Sequence, residues 1–188
     1  METPTSPQMT PPIRRIVVRF PQNEMCELQS VDSTLALTDE DVETIVTICN
    51  EGLVYNMLFR ERLNGQPYSR QDAQGFLSWA RKGWQSDEWF VFLIRNSRNR
   101  IIGAIDIKTK TADAAEIGYW VSSTSPGIMT NTVLQLCDIA KVAGYKSLFA
   151  LTTLENEKSA RVLLRANFVG EGPILRNDTA HLKFTKTL

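Results

Sequence analysis

The chain has 188 residues, with 21 basic and 21 acidic side chains, one histidine and three cysteines. That length suits one α/β domain around a single core, and the balanced charge gives no net field toward nucleic acid or an anionic membrane, so neither partner is expected. Cys26, Cys49 and Cys137 have neither metal-ligand spacing nor a disulfide pattern. With His181 as the lone histidine there is little material for a histidine triad or metal site, and no metal is expected.

In chain order, Met1–Pro12 is rich in Pro, Thr and Ser and is expected to be a disordered tail, with one folded domain over residues 13–188. Arg14–Phe20 and Cys26–Val31 read as extended pieces around a turn at Pro21-Gln22-Asn23, their pairing order open. Thr38-Asp39-Glu40-Asp41 sets carboxylates at the positive end of a helix running to about Asn50. A second helical stretch, Val54–Leu63, stops at Asn64-Gly65-Gln66-Pro67. Ser69 reads as the N-cap of Arg70–Lys82, where Ala73, Phe76, Leu77 and Ala80 keep the spacing of one buried face.

Strands follow at Glu88–Ile94, Ile101–Lys108 and Ala115–Val121, joined by polar turns into an antiparallel meander. Next come a helix Ile128–Ala143 stopped by Gly144, a strand Ser147–Thr152, a helix Glu157–Ala166, and strands at Phe168–Gly170 and about Thr179–Thr185. Together they predict an α/β (α+β) fold, a mixed sheet of about six or seven strands flanked by helices. No apolar run reaches the roughly 20 residues of a membrane span, and the first residues lack the pattern of a secretory signal. A soluble, cytoplasmic protein is expected.

The loop Ser122-Ser123-Thr124-Ser125-Pro126-Gly127 joins a strand to a helix without a long or charged side chain. Two readings stand: a plain turn, or an anion cradle in which the free N–H groups of the helix face a phosphate. Asn156 occupies an N-cap position with Ser159 three residues on, which is either capping alone or a polar pair lining a cleft at the end of a strand. No Gly-x-x-x-x-Gly-Lys-Ser/Thr run accompanies them, which argues against a nucleotide-phosphate enzyme.

Glu116-Ile117-Gly118-Tyr119-Trp120, Gly127-Ile128-Met129-Thr130 and Asn156–Phe168 with Val169-Gly170-Glu171-Gly172 stand in the order and context of three motifs of one family. Over roughly residues 88–186 the chain resembles the GNAT N-acetyltransferase superfamily, within it the RimJ/RimL branch of ribosomal-protein acetyltransferases. The resemblance implies a single GNAT-like domain with a V-shaped splay between the fourth and fifth core strands. It also implies acetyl-CoA as cosubstrate. Backbone groups at Trp120 and Val121 would meet the pantetheine arm, and an N–H there would hold the thioester carbonyl. Ser122, Thr124, Ser125, Gly127, Ile128 and Met129 would surround the pyrophosphate. Asn156 would contact the pantetheine, and Ser159 would lie near the sulfur as a proton donor. The acceptor would be a primary amine, on a protein N-terminus or a small molecule, and the enzyme a monomer or homodimer.

The loop departs from the family's Gln/Arg-x-x-Gly-x-Gly/Ala: Thr124 replaces the long first side chain, and Pro126 removes an N–H. Asn167 stands for a glycine before Phe168, and asparagine accepts a left-handed backbone. Leu163 and Leu164 lie where many members carry a catalytic tyrosine. A catalytically impaired GNAT-fold ligand-binding or interaction module is therefore the alternative.

Acetyl transfer to an amine needs a base beside the thioester. Glu116 is the first candidate, Asp106 the second and Asp178 the third. If the hairpin turns about residue 111, Asp106 and Glu116 face each other and one pKa rises; a one-residue slip puts them on opposite faces. Solvent-facing or ion-paired carboxylates are the competing reading. Tyr55, Phe59, Trp79 and Trp84 are the acceptor-pocket candidates, set against ordinary core packing of aromatic residues on helices. Tyr119 and Trp120 read mainly as packing residues.

Overall fold

Phe90–Arg95 (β3) is buried along its whole length, as an unbroken Phe-Val-Phe-Leu-Ile run requires of a strand covered on both faces. Around it, a computed structural model describes residues 6–188. The described residues form β1 (Arg14–Arg19), β2 (Glu24–Ser30), α1 (Asp39–Cys49), α2 (Gly52–Val54), a π-helical turn (Tyr55–Phe59), α3 (Arg70–Ser86), then β3. After it come β4 (Ile101–Ile107), β5 (Ala115–Val121), α4 (Met129–Ala143), β6 (Ser147–Thr153), α5 (Glu157–Arg165), β7 (Val169–Arg176) and β8 (Thr179–Thr187).

The sheet of the described residues has eight strands in the order β1-β2-β3-β4-β5-β6-β8-β7. β5 and β6 pair in parallel and every other neighbour is antiparallel, as expected when α4 carries the chain between two strands of one sheet. The parallel ladder is short. It joins Ala115 to Leu148 and Glu116 to Phe149, although β5 continues to Val121 and β6 to Thr153.

Local chemistry sets the helix ends. Thr38 and Asp41 form a capping box on α1, and Ser69 and Asp72 form one on α3. Asp41 also pairs with Arg95 through two hydrogen bonds of 2.7 and 3.0 Å in a buried setting, tying α1 to the end of β3. Gly144 ends α4 at φ +98°, and Asn167 adopts φ +62°, the left-handed backbone for which asparagine suffices.

Two elements differ from expectation. The helical stretch at Val54–Leu63 is a π-helical turn followed by irregular turns, with Arg60 N–H donating to Tyr55 O at 2.9 Å. The strand at Phe168–Gly170 extends to Arg176 through Pro173, which β7 accommodates because it is an edge strand. Of the tail expected over Met1–Pro12, residues 1–5 lie outside the described residues. Pro7 and Met9 are buried, and Gln8 N–H donates to Ala143 O at 2.8 Å, so residues 7–9 pack against the end of α4, while residues 6–12 have no regular secondary structure. Among the described residues no helix is long and apolar enough to cross a membrane.

Candidate active site

Asp106 lies on β4 opposite Gly118, with Ile107 opposite Ile117, and Lys108 N–H donates to Glu116 O. The hairpin therefore turns about Ala112, not residue 111. Asp106 and Glu116 share a face but are diagonal neighbours, and Lys108 stands between them. The missing side chain of Gly118 matters here. A Cβ at that position would lie 3.3 Å from Asp106 Oδ1 and 3.0 Å from Lys108 Cε.

The two carboxylates are thereby driven apart in chemistry. Glu116 receives Lys108 Nζ at 2.6 Å and Arg176 Nη1 at 2.7 Å. Burial alone would raise its pKa, but these two cations outweigh burial and hold it below the usual carboxylate range. Glu116, the first candidate in the sequence, thus has both carboxylate oxygens engaged by cations. Asp106 goes the other way. Burial pushes it up to about 7, against the opposing pull of the Lys108 charge and the Gly118 N–H, while the Glu116 charge adds to the rise. Its Oδ1 is buried without a hydrogen-bond partner.

Asp106 lines a cavity of about 820 Å³ between the sheet and α3. Phe59, Phe76, Trp79, Trp120 and Arg62 also line it. Phe59 is buried against Tyr68 with ring centres 4.7 Å apart, and Trp79 stacks on Trp89 at 5.5 Å. The other two acceptor candidates do not reach the cavity. Trp84 is buried, donates Nε1–H to Val91 O at 2.8 Å and packs edge-on against Phe90 and Phe92. Tyr55 donates its hydroxyl hydrogen to Gln66 O at 2.7 Å and pins the turn after the π-helix. Asp178 sits in the exposed β7–β8 turn at φ +60° and lines no described cavity.

Side chains alternate along β5, so Gly118 and Trp120 share the Asp106 face while Tyr119 points through the other. The Tyr119 hydroxyl is 2.7 Å from Ser159 Oγ on the first turn of α5. Burial raises the phenol to about 12, with the Ser159 hydrogen bond opposing, so it keeps its proton at neutral pH. Asn156 caps α5 by accepting Ser159 N–H at 3.1 Å. Asn156, Ser159 and Tyr119 thus form one group beside the stretch of β5 that has no ladder partner in β6. Strand alternation in the sequence assigns Tyr119 a buried face but says nothing of what its hydroxyl meets there. Leu163 is fully buried and Leu164 exposed, so neither offers a hydroxyl in its place.

The loop after β5 is clamped from two sides. Ser122 Oγ donates to Glu51 Oε1 at 2.6 Å, and Ser123 N–H donates to Glu51 Oε2. Thr124 N–H bonds Ser122 Oγ and Ser125 N–H bonds Ser122 O, so three successive loop donors have partners within the protein. On the other side Arg19 donates to Thr124 O and Pro126 O, and Phe20 N–H to Gly127 O. Gly127 sits at φ +87°, with Phe20 O 1.8 Å from where a Cβ would be. Beyond it, α4 starts after Ile128 with no side-chain cap, and Ile128 and Met129 are buried. Among the described residues, no group of three or more His, Cys, Asp or Glu side chains could hold a metal ion.

Residues 35–169 match the family model of the acetyltransferase (GNAT) domain. No curated protein matches the chain. Among solved structures, RimJ of Mycobacterium smegmatis in complex with CoA-disulfide has a TM-score of 0.74 at 18% identity, covering 94% of this chain and 88% of that one. The Salmonella typhimurium acetyltransferase that modifies the N-terminal serine of a 50S ribosomal subunit protein has a TM-score of 0.64 at 17% identity, covering 87% and 95%. Spermidine N-acetyltransferase from Vibrio cholerae, in complex with CoA and spermine, has a TM-score of 0.64 at 15% identity, covering 86% and 95%. With its sheet order, its β5–α4–β6 crossover and a family match spanning most of its length, this chain belongs to the GNAT family of acetyltransferases.

Proposed function

We propose that the protein transfers the acetyl group of acetyl-CoA directly to a primary amine, with Asp106 as the general base. The observation that carries this reading is the Asp106 carboxyl. It faces an aromatic-walled cavity, keeps one oxygen without a partner, and titrates near neutrality, where a base is most effective.

Bound acetyl-CoA would supply an activated acetyl thioester. The residues present fit that molecule at two points. The β5 edge beyond Glu116 has no ladder partner in β6, which leaves its backbone for the amides of a pantetheine arm. The uncapped N-terminus of α4 leaves N–H groups for a pyrophosphate. Asp106 takes a proton from the incoming amine on one face of β5. Tyr119 and Ser159, on the other face, hold a proton for the departing sulfur. Phe59, Phe76, Trp79 and Trp120 give the acceptor side aromatic walls.

Two of the relatives named above act on a protein N-terminal serine and on spermidine, and a primary amine is the acceptor chemistry these two share. The proposed setting is cytoplasmic, as a monomer or homodimer. A second reading, a GNAT-fold binding or interaction module without catalysis, is favoured by the internally satisfied loop Ser122–Ser125. The two separate in one assay: thiol release from acetyl-CoA over a panel of peptides with free N-termini and small primary amines. Release with any acceptor, lost in Asp106→Asn, supports the enzyme. Acetyl-CoA binding without release across the panel supports the module.

A further inference from the structure

The carboxylate of Glu51 stands against the loop at the start of the cofactor path. It lies in the link between α1 and α2, 71 residues before its partner Ser122, and it accepts both the Ser122 hydroxyl and the Ser123 N–H. Nothing in α1 requires this, since Asn50 closes that helix through its own N–H. The contact joins the acceptor side of the molecule to the cofactor loop. It places a carboxylate on a loop whose chemistry, short polar side chains and backbone N–H groups running into an uncapped helix, suits an anion.

A carboxylate and a phosphate compete for such donors, and two anions at hydrogen-bonding range of one loop repel each other. We infer that Glu51 sets the affinity for the phosphate end of the cofactor by occupying loop donors in the free protein, so that CoA binds only by displacing its carboxylate. This rests on the acetyl-CoA reading above and adds to it a residue outside the three family-like motifs. Arg19 holds the carbonyls of Thr124 and Pro126 from the opposite side, so the loop keeps its shape when Glu51 leaves.

The test is calorimetric titration of the full chain, and of its Glu51→Gln and Glu51→Ala variants, with CoA and with pantetheine, which lacks the phosphates. The inference predicts that both variants bind CoA about tenfold more tightly, the order expected from removing a charged hydrogen-bonding competitor. Pantetheine affinity stays unchanged. Equal or weaker CoA binding by the variants overturns the inference, as does an equal gain for pantetheine. If Glu51→Ala melts early, the isosteric Glu51→Gln, which keeps the side-chain shape and removes the charge, decides the test alone. Binding of CoA by all variants with one affinity removes the role of Glu51 alone; no CoA binding by any of them removes the acetyl-CoA reading with it.

Discussion

Asp106 stands opposite Gly118 in the β4–β5 ladder, and that pairing, with Glu116 one step along the same face, decides which carboxylate is engaged by cations and which is not. Glu116 is paired with Lys108 and Arg176, while Asp106 is half-buried with one buried, unpartnered oxygen. The consequence reaches stability. The folded-state pKa of Asp106, about 7, lies above its ordinary 3.8, so between those values the native state binds a proton that the unfolded chain does not. Stability therefore falls as pH rises through this window, and the penalty is complete above neutrality. Asp106→Asn is expected to stabilise the protein above neutral pH, with a ceiling of about 4 kcal/mol, and to make little difference at acid pH. Urea midpoints of both proteins against pH check this; curves that run parallel at all pH values contradict it.

Replacing Glu116 separates it from the base. Its charge contributes to the raised pKa of Asp106, and its loss frees Lys108 to act on Asp106. Glu116→Gln is expected to move the ascending, acid-side limb of the rate profile to lower pH while keeping it. Disappearance of the limb would make Glu116 the base.

Tyr119 and Ser159 share one hydrogen bond in which either hydroxyl can donate, and the proposed mechanism assigns the thiolate's proton to this pair. Tyr119→Phe should lower kcat by roughly ten- to a hundredfold with a small change in the KM for acetyl-CoA, at the lower end of the range for a lost proton donor because Ser159 remains. The double variant with Ser159→Ala should lose more than either single one. Unchanged turnover in the double variant would reduce the pair to packing.

Gly127 is held against the Phe20 carbonyl in a left-handed conformation. Gly127→Ala is expected to cost about 1–3 kcal/mol, from strain at that φ and from the displaced carbonyl. Thermal unfolding measures it, and a neutral result would mean that the hairpin over the loop moves aside freely.

Much of the fold is legible because its signals are local. Alternation marks β5 at Ala115–Val121, and cap chemistry marks Thr38, Ser69 and Asn156. The site is less legible because it depends on pairing. Alternation tells which face Asp106 takes but not which residue it meets, and a turn centred one position later replaces Glu116 by Gly118 as its partner. The same limit hides Glu51, whose partner lies 71 residues away, and it leaves Trp84 and Trp79 alike in sequence although one fills the core and the other lines the cavity. Order and spacing of three short motifs, by contrast, suffice for the family.

The most direct test of the account is the pH dependence of kcat/KM for thiol release from acetyl-CoA with the best acceptor of the amine panel, in the wild type and in Asp106→Asn. The account predicts a wild-type rate that rises with an apparent pKa of about 7 and a variant that loses this limb with about a hundredfold or more of the rate. A variant that keeps both the limb and the rate would contradict Asp106 as the base.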